Sequence, residues 1–164
     1  FESGTESEAD CITDSQTGLM WPKNGIIGFI ATSEGSLISQ PNYDNTDASL
    51  NSITWYNALT AMTKMNAATT KLCGHNDWRL PNFTELRSLI NYGQVNFSIS
   101  SNWLNNQGFS GVQNDKYWTS TIFAFMPSST MWFINMGTGE TGFNGGQYNP
   151  YNVLPVRGGG PVGP

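Results

Sequence analysis

A chain of 164 residues, 38% of them hydrophobic, is the right size for one domain around one core, and no apolar run approaches the roughly twenty residues that insertion across a bilayer requires. Only 12% of the residues are charged, about half the usual share, so solubility rests on Asn, Ser, Thr, Gln and Gly while aromatics, at 13%, carry much of the burial. The formal charge of −5 speaks against nucleic acid as a partner, but Glu2, Glu6, Glu8, Asp10 and Asp14 are unopposed at one end; without them seven acids balance seven Lys and Arg, so a local basic face remains open to an anionic ligand.

Residues 1–10, acidic and Ser-rich, read as a disordered lead-in. From Cys11 to Ile30 the pattern predicts a turn at Ser15–Gly18, an apolar strand through Trp21, a Pro-Lys-Asn-Gly turn and a second short apolar run, together a hairpin. Residues 31–50 have no sustained period and read as a long surface loop. A first helix is predicted from Ser52 to about Leu72, with Trp55, Leu59, Met62 and Asn66 clustered on one side and Ala58 and Met65 flanking them. Lys64 and Lys71, seven residues apart, then share its exposed face. A second helix is signalled by Asn82 as N-cap, Glu85 three positions later and Gly93 beyond the end, with Phe83, Leu86, Leu89 and Ile90 buried.

Beyond Gly93 the chain turns strand-like. The segments from Lys116, from Thr130 and up to Arg157 are rich in aromatic and β-branched residues separated by turns, and TGFNGGQYNPYN reads as a Gly/Asn loop between two of them. The whole is an α+β domain, residues 11–158, in which two helices pack on an antiparallel β-sheet, followed by a flexible tail at 159–164.

Cys11 and Cys73 stand in no CxxC, and His75 is the sole histidine, so a Cys/His zinc site lacks ligands. One disulfide, favouring an oxidising compartment, is the simplest account, and two buried thiols are the alternative. Asp44, Asn45 and Asp47 offer oxygens to calcium but lack the glutamate of a committed site. His75 and Asp77 have no nucleophile motif around them. No metal, cofactor or catalytic role is expected, and the chain reads as a mature piece of something longer. The sequons at Asn82 and Asn96 are chance matches, the first being needed as a cap.

The most specific string is GHNDWRLPNFTELRSLI, Gly74 to Ile90, in which Arg79 reads as a structural residue tying loop to sheet. Together with TGLMWPK at Thr17–Lys23, YWTST at Tyr117–Thr121 and the terminal LPVRG, in this order and spacing, it resembles the C-terminal domain family of the Legionella collagen-like adhesin over about residues 11–158. The resemblance implies a C-type-lectin-like fold, a homotrimer set by a collagen-like segment, a place at the bacterial cell surface, and binding of sulfated glycosaminoglycans. The family's usual VRCVR is here LPVRGGG, without that cysteine, so the family's usual disulfide pattern does not carry over and Cys11 is the candidate substitute, with Cys73 as its partner. Sulfate groups require exposed cations, for which the candidates are Lys64 and Lys71, with Arg87 and Lys116 as weaker ones. The competing expectation is a trimerisation module without a ligand of its own.

Overall fold

The computed structural model describes residues 2–3, 10–23, 54–68, 71–93, 100–126, 129–146 and 149–158. The second apolar run after Trp21, the 31–50 loop, the Asp44–Asp47 group, the sequon at Asn96 and the tail at 159–164 lie outside them.

The described residues form an α+β fold with two antiparallel sheets, where one had been expected. Strands β1 (Glu2–Ser3), β2 (Cys11–Thr13), β3 (Leu19–Pro22) and β7 (Arg157–Gly158) make the first, in that order. Strands β4 (Lys116–Ile122), β5 (Thr130–Asn135) and β6 (Thr141–Gly145) make the second. The hairpin in the first sheet is β2–β3, turning at the predicted Ser15–Gly18. Asp14 shapes that turn: its carboxylate accepts from the Gln16 N–H and the Thr17 hydroxyl, and its carbonyl accepts from the Gly18 N–H. Strand β6 occupies the segment expected to be a Gly/Asn loop. Its two glycines hide the β-signal, yet it pairs with β5 over five positions, Gly142 lying under the Phe133 ring where a Cβ would come within 2.7 Å.

Helix α1 (Trp55–Ala67) is capped by the Thr54 hydroxyl and ends at Ala68, short of the predicted Leu72. Its inner face is Trp55, Ala58, Ala61, Met62 and Met65, so Leu59 is exposed and not part of the core. Helix α2 (Phe83–Arg87) has the predicted capping box: the Asn82 side chain accepts from the Glu85 N–H, and the Glu85 carboxylate accepts from the Asn82 N–H. It stops at Ser88, with Leu89 and Ile90 buried in the turn that follows. A third helix, α3 (Ser100–Asn106), was not legible, because SSNWLNN lacks an apolar repeat; from Trp103 to Asn106 only Leu104 is fully buried.

The strand period explains how one small chain keeps two cores. On β2 and β3, Cys11 and Met20 face a cluster built on α1, while Ile12, Leu19 and Trp21 face a second cluster with Leu86, Leu89 and Leu104. The second sheet lies between the same two clusters: Trp118, Met131 and Phe133 point to the α1 side, Tyr117 and Ile134 to the other. The Cys11–Cys73 disulfide forms inside the α1 cluster, with a sequence separation of 62 and both cysteines buried. Cys73 sits in a 3₁₀ turn at Leu72–Gly74 with φ +50°, a left-handed conformation that the covalent bond and the surrounding packing hold in place.

The YWTST string owes its form to docking. Between Trp118 and Ile122 the β4–β5 register breaks, which frees three residues from ladder pairing. The Thr119 carbonyl accepts from the Trp55 indole N–H (2.8 Å), the Ser120 N–H donates to the Pro81 carbonyl (2.8 Å), and the Thr121 hydroxyl accepts from the Phe83 N–H (2.9 Å). One bulge therefore seats the first turns of both α1 and α2.

Candidate functional site

Arg79 and Val156 form an antiparallel bridge that joins the DWRLP string to the LPVRG string. On one side of it the Arg157 guanidinium donates to both Asp77 oxygens, at 2.6 and 3.2 Å. On the other, Arg79 donates to both Glu85 oxygens, each at 2.7 Å. Trp78 is anchored between them: its N–H donates to the Asn66 side chain, its carbonyl accepts from the same amide, and its indole donates to the Leu72 carbonyl. The Arg157 bond and charge hold Asp77 below the usual carboxylate range against the effect of burial. Glu85 is pushed up by burial but held down overall by the Arg79 bond, the Asn82 N–H and the Arg79 charge, and Arg79 is correspondingly raised. The motif residues are thus the clasp of the fold, as expected of Arg79, and Asp77 is committed to Arg157.

The candidate cations stand on different footings. Lys64 is exposed in the last turn of α1. Lys71 does not share its face, because the helix has already ended; its ammonium folds back and donates to the Asn66 carbonyl at 2.7 Å, covering the helix C-terminus. Lys116 is half-buried, its ammonium 4.9 Å from the Phe133 ring centre and 5.4 Å from that of Tyr151. Arg87 is exposed at the end of α2, donating to the Tyr92 hydroxyl at 3.2 Å with its guanidinium over the rings of Phe83 and Tyr92. Phe83 in turn meets Trp132 edge to face at 5.2 Å. Trp132 and Phe133 are neighbours on β5 and point to opposite faces, so Arg87 and Lys116 lie on opposite sides of the second sheet. The four cations do not form one basic face: Lys64, Lys71 and Lys116 belong to the α1 side and Arg87 to the α2 side.

What sequence reasoning missed is apolar. Around the β4–β5 turn, Ile122, Phe125, Met126 and Phe143 are all more than 40% exposed, Phe125 reaching 87%. Phe123 and Phe143 stack with centres 4.0 Å apart, both touch the Trp132 ring, and Phe125 stands 5.6 Å from Phe123. The signal available was the run TIFAFMP, which is too apolar for an exposed turn. No group of three or more potential metal ligands occurs among the described residues.

The sequence profile of the Lcl C-terminal domain matches residues 10–157, which takes in β2 to β6, the first residue of β7, both ion pairs of the clasp and the disulfide. The chain belongs to the Lcl C-terminal domain family. Within this Lcl C-terminal domain, the strings that identify it at the sequence level are those that join Arg79 to Val156, Asp77 to Arg157 and β4 to both helices. No curated protein matches the chain.

Proposed function

We propose that this Lcl C-terminal domain is a non-catalytic adhesion module of the bacterial surface that binds sulfated glycosaminoglycans and similar polyanionic polysaccharides. One observation carries the reading: of the three arginines, Arg79 and Arg157 are spent on carboxylates inside the clasp, whereas Arg87 is exposed, oriented by aromatic rings and a tyrosine hydroxyl, and bonded to no acid among the described residues. A guanidinium held in this way presents its fork to a sulfate with little ordering cost. Lys64 and Lys116 on the opposite side supply secondary contacts, each weak and salt-sensitive, which multiply if the domain is repeated in a trimer. A C-type-lectin-like arrangement of the helices and sheets is the reading of the fold that accompanies this function.

Retention on immobilised heparin across a sodium chloride gradient tests it. Arg87→Ala is expected to elute at clearly lower salt than the parent, and Lys64→Ala with Lys116→Ala to add a smaller shift. A parent protein that passes unretained at low salt, or elution unchanged in all variants, overturns the proposal. The second reading, a module that registers a collagen-like trimer and binds nothing, has for support the apolar side chains at the β4–β5 turn; it predicts a stable trimer of the isolated domain and no retention.

A further inference from the structure

The aromatic side chains on the α2 side of the second sheet form a row. Starting at Arg87, the guanidinium covers Phe83, Phe83 meets Trp132, Trp132 meets the stacked pair Phe123 and Phe143, and Phe125 follows at the turn. Successive ring centres are 5.2 to 5.8 Å apart outside the stacked pair and their planes turn by 52° to 81° from one ring to the next, so the half-buried rings of Phe83, Trp132 and Phe123 support the exposed ones, Phe143 and Phe125. The row is held by the scaffold at one end and open at the other. Phe83 is fixed through the Thr121 hydroxyl, and Trp132 and Phe143 are directly opposed in the β5–β6 ladder, while Phe143 and Phe125 are exposed.

Two properties of its surroundings select the occupant. The first is charge. Residues 116–135 contain no Asp or Glu, the one acid of α2, Glu85, is engaged by Arg79, and Asp115 and Glu140 flank the Lys116–Asn135 end of the sheet, away from the turn. Among the described residues Arg87 therefore sets the sign of the rim, which suits an anion. The second is area. The exposed fractions of Phe125, Met126 and Phe143 amount to roughly 400 Å² of apolar side chain, against roughly 800 Å² that each partner buries in a stable protein interface. A patch of this size fits the footprint of a short extended ligand better than that of a second folded chain.

From this geometry we infer that the exposed rings of Phe143 and Phe125, buttressed by Phe83, Trp132 and Phe123, are a sugar-stacking subsite, on which an extended anionic polysaccharide lays the apolar C–H faces of two of its rings while Arg87 takes a sulfate or carboxylate. Aromatic faces carry the negative lobe of the ring quadrupole, and the C–H bonds on one face of a pyranose present the complementary sign. The inference rests on the polysaccharide reading above and adds to it a contribution to affinity that salt does not screen.

The experiment is a set of binding isotherms for a heparin hexasaccharide, measured at several salt concentrations on the parent, Phe125→Ala with Phe143→Ala, Phe125→Leu with Phe143→Leu, and Arg87→Ala. Both phenylalanines are exposed, so the substitutions spare the core, and circular dichroism and a thermal melt check this. Loss of two ring contacts is expected to weaken binding about tenfold. The Leu pair is expected to be weakened nearly as much, because it keeps apolar area but no ring face. In both, the slope of log affinity against log salt stays that of the parent, whereas Arg87→Ala flattens it. Aromatic variants that bind as the parent does overturn the inference and leave the polysaccharide reading standing; a parent that does not bind the hexasaccharide overturns both. Two further outcomes overturn the inference in favour of other occupants. One is loss of sedimentation with phosphatidylcholine–phosphatidylserine vesicles in the aromatic variants with sugar binding intact. The other is a change in molar mass by light scattering that accounts for the loss of sugar binding.

Discussion

The Arg79–Glu85 pair can be dissected because Glu85 has two separable duties. One oxygen, Oε2, accepts from both Arg79 Nη1 and the Asn82 N–H, while Oε1 accepts only from Arg79 Nη2. Glu85→Gln keeps an acceptor for the Asn82 N–H and discards the charge; Glu85→Ala discards both. An exposed ion pair contributes at most about 1 kcal/mol. Here the Arg79 side chain is 44% exposed but that of Glu85 only 16%, and the contact is two-pronged, so a coupling of about 1 to 1.5 kcal/mol is expected. The capping contact adds about 1 kcal/mol, which puts Glu85→Ala near 2 kcal/mol and, for a chain of this length, about 5 °C in Tm. The assay is a double-mutant cycle of Arg79→Met and Glu85→Gln by urea unfolding, with Glu85→Ala alongside. A coupling below about 0.3 kcal/mol would show that the paired carboxylate and guanidinium do no more than an ordinary surface contact, and the description of the clasp would fail.

Other expectations follow from the same contacts. Replacing Cys11 and Cys73 together by Ala removes the closure of a loop spanning 62 positions and should cost about 4 kcal/mol, read as a lower urea midpoint; a midpoint within experimental error of the parent refutes it. Since Asp77 and Glu85 titrate lower in the fold than in the unfolded chain, their contribution is complete above about pH 5 and is lost as pH falls through the folded values below about pH 4. The acid limb of the stability curve should therefore flatten in Asp77→Asn with Glu85→Gln, and an unchanged limb counts against the assignment. Gly146→Ala places a Cβ 2.7 Å from the Met131 sulfur and 3.0 Å from the Trp55 Cβ, and should lose about 1 to 3 kcal/mol in thermal unfolding; a neutral result means that α1 can shift away from β6.

Local chemistry was legible wherever a residue acts on its near neighbours. Asn82 and Glu85 announce a capping box by their spacing, Gly18 a turn, and the runs at Lys116 and Thr130 two strands. What escaped depends on partners distant in sequence. Gly142 inside β6 is required by the Phe133 ring that lies against it, which periodicity cannot register. Leu59 fits a helical stripe as well as Ala61 does, and only the neighbouring sheet decides which of the two is covered. The placement of Lys71 follows from where α1 ends, and nothing between Ala67 and Lys71 in sequence says that its ammonium will cap the helix. The division of the cations between two sides arises from Trp132 and Phe133 pointing oppositely, a relation visible only once α2 is seen to cover one face and α1 the other.

The disulfide also fixes how the domain answers to tension. Cys11 follows the first strand and bonds to Cys73 beside the clasp, so a pull applied ahead of β2 passes directly through the sulfur bridge into the α1 cluster. The segment between the two cysteines, roughly 200 Å if drawn straight, is held as a closed loop and cannot pay out. Under a pull between its ends the chain can therefore lengthen only through residues outside that loop.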